Sequence, residues 1–202
     1  MNVLFCTLIG YLLGSISPSA LISKIKKKNI REHGTKNLGA MNTMINFGKA
    51  WGVFVMIFDI GKAVISVKIA KYCVPSLVYA GVLAGGAAVI GHMFPFYMKF
   101  KGGKGLAPFA GFVLANNPYS FLFLAIFGIS LMFLVNYSVA LPYSVSILYP
   151  FIAGYHANDL VFFLLTAMIS VLMLIKFHGN LMKAVRGEDV KVRDFIRIQF
   201  SK

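Results

Sequence analysis

Two short segments of this chain hold the residue types that bind phosphate. The first reads Arg31-Glu32-His33-Gly34-Thr35-Lys36-Asn37-Leu38-Gly39-Ala40-Met41-Asn42. Glycines let backbone amides approach an anion without a Cβ in the way. The Thr35 hydroxyl and the Asn37 and Asn42 amides add neutral hydrogen-bonding groups, and Lys36 adds charge. A helix starting near Asn42 would turn its positive end to the same place. The same residues also fit an ordinary polar loop, with glycines in turns and asparagines as caps. The second segment is Gly91-His92-Met93-Phe94-Pro95 followed by Lys99-Phe100-Lys101-Gly102-Gly103-Lys104-Gly105. The expectation is that the Gly102 and Gly103 amides and the Lys104 ammonium cradle a phosphate. Lys99 and Lys101 fit a general positive loop instead. A Walker A loop is excluded, because its spacing and the Ser/Thr after the lysine are missing.

Other chemistries find less support. Asp59 and Lys62 stand three apart in an apolar stretch, so on a helix they can pair. Charges there are expensive and either neutralise each other or line a cavity; both readings stay open. His92 reads as a structural or substrate-loop residue. His178 is expected to end the last apolar block, two residues before Asn180 and facing the cytoplasm. No two histidines or cysteines have metal-ligand spacing, so no metal site is expected. No Gly-x-Ser-x-Gly elbow is present.

The elements that must position these residues follow from composition. Of 202 residues, 58% are hydrophobic and 13% charged. Soluble domains are about a quarter charged, so a soluble enzyme is excluded. The two cysteines lie far apart in apolar runs, which excludes a disulfide scaffold; both are expected to be free and buried. Seven apolar blocks can be marked: 3–22, 51–69, 75–98, 106–115, 119–135, 139–153 and 160–175. The fourth is short for a bilayer core of about 30 Å. The first lacks a basic segment before it and reads as a retained span rather than a cleaved leader. Phe5 before Cys6 does not fit a lipidation site.

The net charge is +14, from 20 basic and 6 acidic residues. On a soluble chain that excess would suggest nucleic acid. Here seventeen basic residues, from Lys24 to Lys49, Lys99 to Lys104 and Lys176 to Lys202, fall in alternate connections. Lys68 and Lys71 fall on the other side, and Lys62 lies within a block. By the positive-inside rule the chain is predicted to be an all-α membrane protein of seven transmembrane helices, N-terminus outside and C-terminus cytoplasmic, with no nucleic-acid partner. No repeat or linker is evident, so 1–202 reads as a single domain.

The motifs occur in a set order: Gly14-Ser15-Ile16, then Gly34-Thr35-Lys36-Asn37-Leu38-Gly39-Ala40-Met41-Asn42 with Gly48-Lys49, then Asp59 and Lys62, then the Gly91–Gly105 block. In this the chain resembles the bacterial PlsY-type acyl-phosphate:glycerol-3-phosphate acyltransferases over nearly its whole length. The resemblance implies a multi-pass protein of the bacterial inner membrane. It would move an acyl group from acyl phosphate to glycerol 3-phosphate, giving lysophosphatidic acid and phosphate without a metal or other cofactor. It implies catalytic roles for Thr35, Asn37, His178 and Asn180. Phosphate binding would fall to Lys36, Asn42, Gly102, Gly103, Lys104 and Ser138. The chain departs from the family pattern at Lys36, for glycine; Met41, for threonine; and Ile45 and Asn136, each for arginine. The serine near Ser138 is displaced, and a histidine position is Phe177, with His178 one place late. Lys36 is expected to replace part of the charge lost at Ile45. Besides an active acyltransferase, with glycerol 3-phosphate or another phosphorylated polyol as acceptor, the departures allow a non-catalytic relative that keeps the fold. A small transporter fits less well, since only Asp59 and Lys62 are charged within the blocks.

Overall fold

Lipid offers a backbone amide no hydrogen-bond partner, so long apolar stretches fold as helices. The computed structural model describes residues 1–200. Its helices are α1 (Asn2–Ser15), α2 (Pro18–Ile25), α3 (Ala40–Phe47), α4 (Lys49–Cys73), α5 (Ala80–Met93), α6 (Leu106–Asn116), α7 (Pro118–Val135), α8 (Ala140–Ala157), α9 (Leu160–Val185) and α10 (Val192–Phe200). A 3₁₀ turn covers Phe96–Met98. No strand occurs among the described residues. Each of the seven apolar blocks contains a helix. Four stretches are long and apolar enough to cross a membrane: Asn2–Ile25, Ala80–Met98, Pro118–Val135 and Leu160–Val185. α4 has the length, at 25 residues, but carries Lys49, Asp59, Lys62, Lys68 and Lys71. α6, at 11 residues, is as short as its block. Lys202, counted in the basic tail, lies outside the described residues.

The chain divides into two compact units, Met1–Pro118 and Tyr119–Lys202. In the first, the opening apolar block is broken in two. Ile16 is extended, and Ser17 caps α2 by accepting the Ala20 N–H at 3.3 Å, with Pro18 in the first turn. Serine then proline is a helix-start signal, and it overrides the continuous hydropathy. α1 lies directly on α5: a Cβ added at Gly10 or Gly14 would overlap the backbone of Ala84 or Ala88. Small residues four apart give such close approach where lipid supplies no hydrophobic drive between helices. Gly111 of α6 meets the Ile60 carbonyl of α4 in the same manner.

In the second unit, α7 exposes Leu122, Phe123 and Ile126 while burying Ser120, Leu124 and Gly128. α9 likewise buries Thr166 and Ser170 and exposes Leu164, Met168, Val171 and Ile175. An outer face this apolar is the inverse of a water-facing helix and suits a lipid surround. α8 packs on α9, with the Phe151 and Phe163 rings 5.3 Å apart. Asn136 adopts the left-handed conformation after α7, with φ +63°, a role asparagine tolerates. It accepts the Val192 and Arg193 N–H groups through its backbone and side-chain oxygens, both at 3.1 Å, and so holds the start of α10.

Two expectations are corrected. α9 runs on to Val185, so His178 lies inside the helix and not at its end. Cys73, at the last position of α4, is exposed rather than buried; Cys6 is buried as expected.

Candidate functional site

The loop before α3 is built around one side chain. Asn42 is 1% exposed. Its Nδ2 donates to the Ile30 carbonyl at 2.9 Å and the Asn37 carbonyl at 3.0 Å. Its Oδ1 accepts from the Thr35 N–H at 2.8 Å and from Asn46 Nδ2 at 3.1 Å. A primary amide has two donors and two acceptor positions, and all four are filled. Asn42 thus organises the 30–37 loop. Thr35 and Lys36 are exposed at the tip of that loop, and Asn37 is half-buried. Lys36 has φ +56° and donates its N–H to the His33 carbonyl at 3.1 Å. A left-handed backbone favours glycine, so the glycine of the resembled pattern has a backbone reason at this position.

The glycine–lysine loop packs against the first loop. The Arg31 guanidinium donates to the Lys101 carbonyl and lies 3.9 Å from Met98 Sδ. A Cβ added at Gly103 would overlap His92 Nε2 and the Leu38 carbonyl. The two segments singled out from sequence are thus brought together. Gly102 N–H donates to the Met93 carbonyl at 3.1 Å, and Gly103 N–H to the His92 carbonyl at 3.0 Å. Both donors fold the loop back over the end of α5. The glycines serve close packing, and Lys104, half-buried between Gly103 and Gly105, supplies the charge.

Beneath this loop lies a polar cluster that sequence reasoning found only in part. Lys62 Nζ is 2.7 Å from Asp59 Oδ1, the expected pair one helical turn apart. The same ammonium donates to the Ile16 carbonyl at 2.8 Å and lies 3.0 Å from His92 Nδ1. His92 Nδ1 is 3.4 Å from Asp59 Oδ1. Asp59, Lys62 and His92 are all buried. Ile16 follows the end of α1, where unpaired carbonyls and the helix dipole attract a cation. The break between α1 and α2 is held from a second side by the Tyr97 hydroxyl, which donates to the Ser15 carbonyl at 2.8 Å. The signal for His92 was its place in the Gly91–Pro95 block. Nothing in the sequence paired it with Lys62.

The remaining site candidates lie in the second unit. Ser138 is exposed in the turn between α7 and α8. Phe177 is buried, His178 exposed and Asn180 half-buried along α9. Residues two apart on a helix project about 200° from each other, so His178 and Asn180 do not share a face. Asn180 shares its face with Phe177. No group of three or more His, Cys, Asp or Glu that could hold a metal is found among the described residues.

Comparison with known proteins bears on this arrangement. The family model described as glycerol-3-phosphate acyltransferase matches residues 4–187. A glycerol-3-phosphate acyltransferase of Macrococcus caseolyticus is 34% identical, covering 96% of this chain and 98% of that protein. One of Staphylococcus haemolyticus is 30% identical, over 96% and 99%. The fold is similar to crystal structures of PlsY (YgiH), an integral membrane glycerol 3-phosphate acyltransferase. Its glycerol 3-phosphate form gives a TM-score of 0.85 at 30% identity, covering 95% of this chain and 96% of that one. Its lysophosphatidic acid form gives 0.82 at 29%, covering 95% of each. With the family model spanning most of the chain and these relatives matched nearly end to end, the chain belongs to the glycerol-3-phosphate acyltransferase family.

Proposed function

We propose that this protein transfers a fatty acyl group from acyl phosphate to glycerol 3-phosphate in a bacterial inner membrane. A glycerol hydroxyl oxygen bonds to the acyl carbon, and the bond from that carbon to the phosphate oxygen breaks. The departing phosphate takes the hydroxyl proton, so the products are lysophosphatidic acid and inorganic phosphate. The observation that carries the reading is the packing of the Lys99–Lys104 loop on the 30–37 loop, through Arg31 with Lys101 and Gly103 with Leu38. In this reading Lys104, Lys36, the Thr35 hydroxyl and Asn37 form a basic surface for two phosphorylated substrates. Positioning and electrostatics then supply most of the catalysis. The apolar outer faces of the helices let the acyl chain arrive from the bilayer. In this reading all seven apolar helices cross, with the N-terminus outside and both loops in the cytoplasm, where glycerol 3-phosphate is soluble.

The test is purified protein incubated with labelled acyl phosphate and glycerol 3-phosphate. Lysophosphatidic acid and phosphate should form in equal amounts. Transfer from an acyl thioester but not from acyl phosphate would refute the donor, and no transfer from either would refute the catalytic reading.

A further inference from the structure

We propose that Asp59, Lys62 and His92 act as a positioning unit for the Lys99–Lys104 loop, with Lys62 fixing His92 in the tautomer that carries its proton on Nε2. The inference rests on the acyl-transfer reading for its meaning in catalysis and on the geometry alone for its structure. An ammonium has three N–H donors and no lone pair. Lys62 donates to the Ile16 carbonyl at 2.8 Å, lies 3.0 Å from His92 Nδ1 and forms an ion pair with Asp59 Oδ1 at 2.7 Å, whereas His92 Nδ1 is farther from Asp59 Oδ1, at 3.4 Å. Toward the ammonium, Nδ1 can only accept, so the proton of the neutral ring belongs on Nε2. That side of the ring lies against Gly103, where a Cβ would collide with Nε2. The adjoining backbone takes part as well, through the Gly102 and Gly103 N–H bonds to the Met93 and His92 carbonyls. The loop that presents Lys104 therefore rests on His92, and His92 is oriented from α4.

Stability alone is a weak reason for this cluster. Buried ion pairs often contribute less than apolar groups of the same volume, and charged residues among apolar helices usually mark function. Ile16 adds a second consequence. Lys62 ties the α1–α2 break and the glycine loop to one side chain, so the two cannot shift independently.

Limited trypsin cleavage of the protein in detergent reads the loop directly, at Lys99, Lys101 and Lys104, with Lys183 and Arg186 of the second unit as reference sites. In His92→Leu, loop cleavage should rise about tenfold, the scale of a modest loss of buried packing, while reference cleavage and Tm stay as in the wild type. KM for glycerol 3-phosphate should rise by a similar factor, with a smaller change in kcat. His92→Gln, whose amide reaches the Nε2 position, should recover most of the protection. The double change Asp59→Asn with Lys62→Met leaves no uncompensated charge and should loosen the loop as His92→Leu does. Unchanged loop cleavage in His92→Leu, or a rise shared equally by the reference sites, overturns the proposal. If the wild type transfers no acyl group, the proposed function fails, and the cleavage arm still decides the positioning unit.

Discussion

A single amide decides how the first loop is built, and a single backbone angle decides what Lys36 costs. Asn42→Ala would leave the Thr35 N–H and the Ile30 and Asn37 carbonyls without their partner. Of these only the Ile30 carbonyl is buried, and a buried polar group so stranded costs about 1–3 kcal/mol. Thermal unfolding should shift down accordingly, and transfer activity should fall with it; an unchanged Tm would refute the organiser role. Lys36 presents a different balance. A non-glycine residue in the left-handed region pays about 1–2 kcal/mol, so Lys36→Gly should raise Tm. The same change removes the charge proposed to stand in for the arginine of the resembled pattern, so acyl transfer should drop. Adding Ile45→Arg to Lys36→Gly should restore it, because a guanidinium holds phosphate with two prongs where an ammonium offers a point charge. Ile45 is 40% exposed beside the loop, with room for the longer side chain. A gain in Tm with no loss of transfer would mean that Lys36 contributes strain and no chemistry.

Loops and helices separate the glycines that matter from the lysines that do not. Gly103 is buried against His92 and Leu38. Lys99 is exposed in the preceding turn, with φ +54°. Gly103→Val should reduce kcat/KM at least tenfold, comparable to the 1–3 kcal/mol typical of overpacking, while Lys99→Ala should stay within about twofold, as surface changes usually do. Equal losses would instead mark the loop as a diffuse positive patch. At this scale the sequence was informative where lipid is the dominant constraint. Every apolar block contains a helix, because an unpaired backbone is intolerable there. It was less informative where a local cap competes with hydropathy, as at Ser17 and Pro18, which divide a block that reads as continuous. The Asp59–Lys62 pair was legible because helical spacing is written along one chain segment. Its third partner, His92, was not, because that contact depends on how α4 and α5 are juxtaposed. The structural role of Asn42 was not legible for a related reason: its partners are mostly backbone atoms, which residue types do not announce.

For the molecule as a whole, the open quantity is which side of the membrane each loop occupies, and the protein carries its own reporter. α4 runs unbroken from Lys49 to Cys73. Its 25 residues span about 37 Å at 1.5 Å per residue, enough to cross a hydrocarbon core of about 30 Å. A helix of that length that crosses must place its two ends on opposite faces. If all seven apolar blocks cross, seventeen of the twenty basic residues fall on the side of the Lys49 end, which the positive-inside rule assigns to the cytoplasm. Cys73 then faces outward, where it is exposed, while Cys6 is buried. A membrane-impermeant maleimide added to intact cells should therefore label the wild-type protein at Cys73. With Cys73→Ser in place, Lys36→Cys should react only after the cells are opened. Labelling of Cys73 only after opening, together with labelling of Lys36→Cys in intact cells, would invert the topology. It would also move the proposed phosphate site to the face where no cytoplasmic substrate can reach it, so this one pair of measurements bears on the orientation and on the reaction at once.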